Sequence, residues 1–446
     1  MKKSSLKALL AGTVAAGLMS TTAFAADLDV EPAKEYVEVG SFKGSILLPG
    51  TGISFKVGGY TKGDVIFTFD DFNNGGGQGV FELLNTGTGG GLGGDRVRFH
   101  ALQSRVNFDA RTTTDLGSAR AFLEVDLFNT AGNEGFSNSA NPRLRHAFAE
   151  LGLDNLGGSL LIGQTWTNFG DLNSYANTLD FNGPNAQVFI RQAQVRWTQP
   201  ITDSVTFSIS AENPEFLGAA SGPDNGLDQV PDFTAVIKGS HGLLAGGTFH
   251  LGGIVRFLNV DNTANPGTAA GPGLFALNPE TGVIEQGDPV AATTFSTDTA
   301  VGYAFTFGAT VGLTESTKLG FQANYGDGNG RYIQFGGPAA VASAVDGDLD
   351  TLRQAGVLGW IQHKWSPKLQ SNAVFGHYSN LEGSFTSDGT ATGNDVRSQQ
   401  YAAINLIYSP RGNINLGVEG SYVNDDFVGG GSEDLFRLQT SLQFSF

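Results

Sequence analysis

From Phe55 onward the chain alternates with a period of two. Phe55, Val57, Gly59, Thr61, Gly63, Val65, Phe67 and Phe69 share one parity, and Lys56, Tyr60, Lys62 and Asp64 the other. Side chains of an extended strand point alternately to opposite faces, so this pattern marks a strand between two unlike environments. It recurs to the end of the chain. Val301, Tyr303, Phe305, Phe307, Ala309, Val311 and Leu313 oppose the small residues Gly302 to Gly312, and Phe436, Leu438, Leu442, Phe444 and Phe446 alternate with Arg437, Gln439, Ser441, Gln443 and Ser445.

Counting such segments gives about sixteen strands: 55–70, 95–110, 118–129, 143–152, 158–166, 187–199, 203–213, 231–240, 246–260, 298–313, 316–335, 351–365, 368–379, 397–409, 412–424 and 434–446. Connections after even-numbered strands are short, as at Thr314-Glu315, Ser366-Pro367 and Pro410-Arg411. Those after odd-numbered strands are mostly long, polar and glycine-rich: 71–94, 130–142, 167–186, 214–230, 261–297, 336–350, 380–396 and 425–433. Lipid outside, water inside, short turns on one rim and long loops on the other define an all-β transmembrane antiparallel barrel with periplasmic turns and external loops. A solenoid or propeller requires a repeat of fixed period, which the chain lacks.

Composition agrees. Sixty-four glycines and 33 phenylalanines among 446 residues, with 15% charged residues, suit strands and turns rather than helices. Lys2, Lys3 and Lys7, the apolar run Ala8 to Met19 and Ala23-Phe24-Ala25 predict an export signal over 1–25. A short periplasmic segment follows over 26–53, and the barrel over 54–446. The N-terminal run is too short for a transmembrane helix, and no other run approaches the required length. The formal charge of −17 argues against nucleic acid as a partner. The absence of cysteine excludes a disulfide framework, a thiol nucleophile and thiolate metal sites.

The third long connection, 167–186, is expected to fold inward and narrow a pore, with Asp171, Tyr175, Asp180 and Phe181 as its candidate constriction residues. Nine of the 15 arginines lie between Arg96 and Arg196, and no lysine occurs between Lys62 and Lys238. Guanidinium presents a rigid fork that matches carboxylate or phosphate. Parity turns Arg120 and Arg196 inward. Arg96, Arg98 and His100 differ in parity from Arg105, so a bulge near Leu102 is needed to turn them all inward. Arg191 shares the parity of Trp197 and faces the lumen only at the start of its strand. The arginines serve either as a wall-stiffening network with Glu124, Asp126, Glu150 and Glu212, or as a ladder for solute.

The six histidines show no metal-ligand spacing, and no G-x-S-x-G elbow occurs. Gly89 to Gly94 lacks a strand-to-helix context, and Asp327-Gly328-Asn329-Gly330 lacks the rest of a calcium loop. No cofactor and no enzymatic activity are expected.

The segments LLPGTGISFKVGGYTKGDV, RFHALQSRVNFDARTTTD, RLRHAFAELG, GQTWTNFGDL, TLDFNGPNAQVFIRQAQVRW and YGDGNGRYI, read in order, resemble the DcaP-like outer-membrane porins. The resemblance is strongest over 47–213. It implies a homotrimeric sixteen-stranded porin in outer-membrane lipid, with an arginine-lined channel for small anionic organic solutes such as carboxylates. Arg98, Arg105, Arg143, Arg145, Arg191 and Arg196 fall inside the matching segments; with Arg120 they are the candidate pore-lining residues. Leu102 stands where the family is expected to carry arginine, and 26–53 has no pattern for a coiled coil. Two alternatives stay open: a general porin with weak cation preference set by Asp171, Asp180 and the acidic loops, and a structural or adhesive protein acting through 261–297.

Overall fold

The computed structural model describes residues 38–71, 94–129, 140–180, 182–215, 229–260, 275–277, 284–286, 298–334, 340–342, 349–381, 396–427 and 430–446. Residues 1–37, which include the expected export signal, lie outside this set, as do Phe181 and most of 261–297.

Sixteen antiparallel strands close into a barrel. They are β1 (Ser54–Asp71), β2 (Gly94–His100, resuming as Arg105–Thr114), β3 (Gly117–Asn129), β4 (Asn141–Leu153), β5 (Gly158–Trp166), β6 (Arg191–Thr202), β7 (Val205–Glu212) and β8 (Asp232–Ser240). The second half comprises β9 (Thr248–Val260), β10 (Asp298–Gly312), β11 (Thr317–Asp327), β12 (Arg353–Ser366), β13 (Leu369–Asn380), β14 (Val396–Arg411), β15 (Ile414–Phe427) and β16 (Ser432–Ser445). Each strand pairs with its chain neighbours, and β1 pairs with β16 from Tyr60↔Ser445 to Phe69↔Phe436. Closure leaves no free edge, which a sheet in hydrocarbon requires because lipid offers no hydrogen bonds. Ile46–Leu47, from the segment ahead of the barrel, adds two residues of pairing to the start of β1.

Polarity runs inside out. Val57, Val97, Phe99, Ile162, Leu251, Val301, Phe305, Phe375, Ile404, Phe436 and Leu442 are exposed on the outer wall, whereas Lys62, Asp64, Asp126, Gln194, Glu212, Asp232, Gln322, Glu419 and Arg437 are buried on the inner one. The apolar parity of the sequence therefore faces lipid.

Three boundaries differ from the sequence reading. The strand expected over 95–110 breaks at residues 101–104, where Ser104 N–H donates to the Ala101 carbonyl, and then runs on to Thr114. His100 pairs with Asp64 and Arg105 with Tyr60, both inward positions, so the break resets the parity. The strand expected from 187 begins at Arg191, because Val188 bridges to Ile333 inside the barrel. The strand expected over 316–335 ends at Asp327, and residues 328–334 turn inward to meet it. Glycines at 328 and 330 and a single turn of 3-10 helix at Gly330–Tyr332 make that turn.

Candidate functional site: a loop inside the barrel and the arginine wall it faces

Residues 167–190 connect β5 to β6 and lie against the inner wall of most other strands. The wall reaches up to the loop's backbone. Gln322 donates to the Asp171 carbonyl at 2.8 Å, Trp360 to Ser174 at 2.7 Å, Asn405 to Asn177 at 2.8 Å, Asn324 to Ala186 at 2.5 Å and Asn185 of the loop to Gln399 at 2.9 Å. A loop in a lumen has no sheet to join, so wall amides supply its missing partners.

Apolar contact adds to this. Phe169 and Val188 pack with Ile254, Ala304 and Tyr332, and Ala176 rests on a patch of Leu358, Val374, Tyr401, Ala403, Val423 and Leu435. These wall residues break the polar-inward rule where the loop covers them. Gly417 lets Leu179 approach closely: a Cβ there would come within 2.6 Å of its side chain.

The two loop acids have different fates. Asp180 lies 3.1 Å from Arg437, each side chain about 1% exposed. Beside it Glu419 accepts the N–H groups of Leu179 (2.7 Å) and Asp180 (3.1 Å), while Lys62 donates to the Leu179 carbonyl at 2.6 Å. Burial pushes the Asp180 carboxyl up against the opposing charge of Arg437. Asp171 has no such partner among the described residues. Its Oδ1 accepts the Asn173 N–H at 3.0 Å, and its Oδ2 accepts nothing. Tyr175 donates its hydroxyl to the Val188 carbonyl, and burial pushes its phenol up.

Across the lumen β2 to β6 carry the arginines. Arg145 bridges Glu124 (2.7 Å) and Asp126 (3.0 Å), Arg143 meets Asp126 at 2.7 Å and Arg105 meets Glu124 at 3.4 Å. Arg191, the first residue of β6, lays its guanidinium 4.5 Å from the Trp166 ring centre. Trp166 in turn touches Tyr175 and Phe189 of the loop. The charges of Arg145, Arg143 and Arg105 act on Arg191, with Asp126 opposing them. Among the described residues, these four guanidiniums gather around Glu124 and Asp126.

The remaining candidates lie apart. Arg120 joins Arg111 on Asp109 at 2.9 and 2.7 Å, toward the short turn at residues 115–116. Arg196 faces a separate cavity with Lys238 and His250, which sequence reasoning left out. Lys238 carried a signal all the same: it and Lys62, the lysines that bound the lysine-free stretch, both point inward. Arg98 pairs with Ile66, an inward position. Among the described residues no cluster of His, Asp and Glu has the arrangement of a metal site.

A closed sixteen-stranded barrel with lipid-facing aromatics, a charged lumen and a long loop packed inside it is the architecture of an outer-membrane channel. The chain belongs to the porin subfamily, whose family model matches residues 26–431. Among solved structures it is similar to the outer membrane channel DcaP of Acinetobacter baumannii, with a TM-score of 0.69, 22% identity, and 92% of this chain and 100% of that one covered. OmpT of Vibrio cholerae follows at TM-score 0.53 and 11% identity, covering 90% and 100%. The anion-selective porin from Comamonas acidovorans has TM-score 0.51 and 11% identity, covering 88% and 100%. No curated protein matches the sequence. The protein is an outer-membrane porin.

Proposed function

We propose that this porin conducts small anionic organic solutes, such as carboxylates, by passive diffusion past a constriction formed by residues 167–190. The observation that carries this reading is a cluster on the inner wall of β2 to β6 in which Arg105, Arg143, Arg145 and Arg191 gather around Glu124 and Asp126 among the described residues. An excess of fixed cations in a narrow, partly dry passage raises the local concentration of anions. The chain's charge of −17 does not oppose this, because charge far from the passage is screened within about 8 Å at physiological salt. Asp180 adds little negative potential, since Arg437 neutralises it.

The reversal potential of single channels in a KCl gradient tests the reading. An anion preference is expected. A cation preference overturns it and favours a general porin in which Asp171 and the external acids dominate.

A homotrimer in outer-membrane lipid is the proposed assembly, with contact through barrel walls. Ala110, Ala121, Ala149 and Ile162 lie side by side across β2 to β5 on the outer face and line a shallow recess there. Small side chains let two walls approach closely. Native mass spectrometry in detergent reads the copy number directly.

A further inference from the structure

A cavity of about 200 Å³ separates the loop from the wall of β6 to β9, and Arg196, Lys238, His250 and Asp171 line it. Arg196 and Lys238 lie close enough to repel one another, and neither forms an ion pair among the described residues. Asp171 attracts both Lys238 and His250. It is 3% exposed, and its Oδ2 has no hydrogen-bond partner among the described residues. A buried carboxylate oxygen left unpaired is costly, and such exceptions call for a reason.

The position of Asp171 is built. Its carbonyl accepts the Gln322 amide at 2.8 Å, and its side chain fits a notch in β10 where any Cβ on Gly308 would come within 2.2 Å of Oδ2. Two cations and one acid therefore line a single void, and the lining carries a net charge of +1 when His250 is neutral; Glu212 and Glu150, which also attract Arg196, stand behind it. The complement is a ligand of net charge −1 that carries two carboxylates and one ammonium. A plain dicarboxylate satisfies the cations and leaves Asp171 repelled. A plain amine does the reverse.

We propose that this cavity is a binding station for acidic α-amino acids, with their carboxylates on Arg196 and Lys238 and their ammonium on Asp171. The proposal rests on the channel being a path for small anions and adds the requirement for an ammonium. The Arg196 fork takes one carboxylate through two hydrogen bonds, and Lys238 takes the other as a point charge.

Single-channel current interruption with L-glutamate and with glutarate tests it, since the two differ only in the ammonium. Wild type should be interrupted by L-glutamate at concentrations about tenfold below those needed for glutarate. Asp171→Asn, which keeps an oxygen to accept the Asn173 N–H, should abolish or reverse that order, and Lys238→Met should weaken both probes. Glutarate acting as well as L-glutamate on wild type overturns the proposal, as does an unchanged ratio in Asp171→Asn or the absence of any interruption. Failure of the anion reading itself is separate and shows as a cation-preferring reversal potential without either probe.

Discussion

Asp180 of the inward loop and Arg437 of β16 form an ion pair of 3.1 Å, both side chains about 1% exposed. The pair ties the tip of the loop to the strand that closes the barrel. Removing Arg437 leaves the buried Asp180 carboxylate without water or partner, at a cost of about 3–5 kcal/mol, whereas removing both charges is often nearly neutral.

Arg437→Met should therefore speed unfolding in denaturant markedly, and Asp180→Asn combined with Arg437→Met should recover most of the loss. The unfolding rate is the suitable readout where refolding is not reversible. Two single variants and a double variant with equal rates would remove the pair from the account of loop retention.

The same acid gives a pH dependence. Burial raises the folded-state pKa of Asp180 above the value near 3.9 of an unfolded aspartate. A raised pKa means the folded state binds the proton more tightly, so this group's contribution is fully present below the unfolded value and is lost as pH rises through the folded one. Relative to Asp180→Asn, wild type should gain stability as the pH falls from neutral toward 4. Parallel pH profiles of the two proteins would refute this.

Glu419 accepts the Leu179 and Asp180 N–H groups together with the Asn405 amide at 2.9 Å. Glu419→Ala leaves those loop N–H groups without their acceptor, at about 1–3 kcal/mol for each buried donor. The expected result is a noisier open-channel current and a larger mean conductance as the loop tip loosens. Conductance identical to wild type would show that the other anchors suffice.

The arginines should not be equivalent. Arg191 and Arg196 form no ion pair among the described residues, so replacing either with alanine should lower the anion preference. Arg120 shares Asp109 with Arg111 near the turn rim, and Arg120→Ala should leave the preference nearly unchanged. Reversal potentials of the three variants decide this, and a dominant effect of Arg120→Ala would reverse the ranking.

Strand existence was legible because alternation is local. Each outward Val, Phe or Leu and each inward Gln or Asp declares its face without reference to any distant residue, as β10 and β16 illustrate. Two of the three boundary differences share one cause. Residues 187–190 and 328–334 look like strand, yet they pair with each other through Val188 and Ile333 inside the lumen. The break at residues 101–104 was inferable only because arginines of opposite parity demanded it.

The site was half legible. The arginine cluster and the inward third loop could be anticipated from spacing and loop order. The neutralisation of Asp180, the isolation of Asp171 and the place of Lys238 could not, because each depends on which strands stand opposite one another across the lumen. The sequence by itself determined a membrane-spanning barrel, since period-two polarity acts through the backbone geometry of each strand. Only the tertiary structure decided which charges cancel, because Coulomb interactions depend on distance through a closed ring in which β1 and β16 are neighbours.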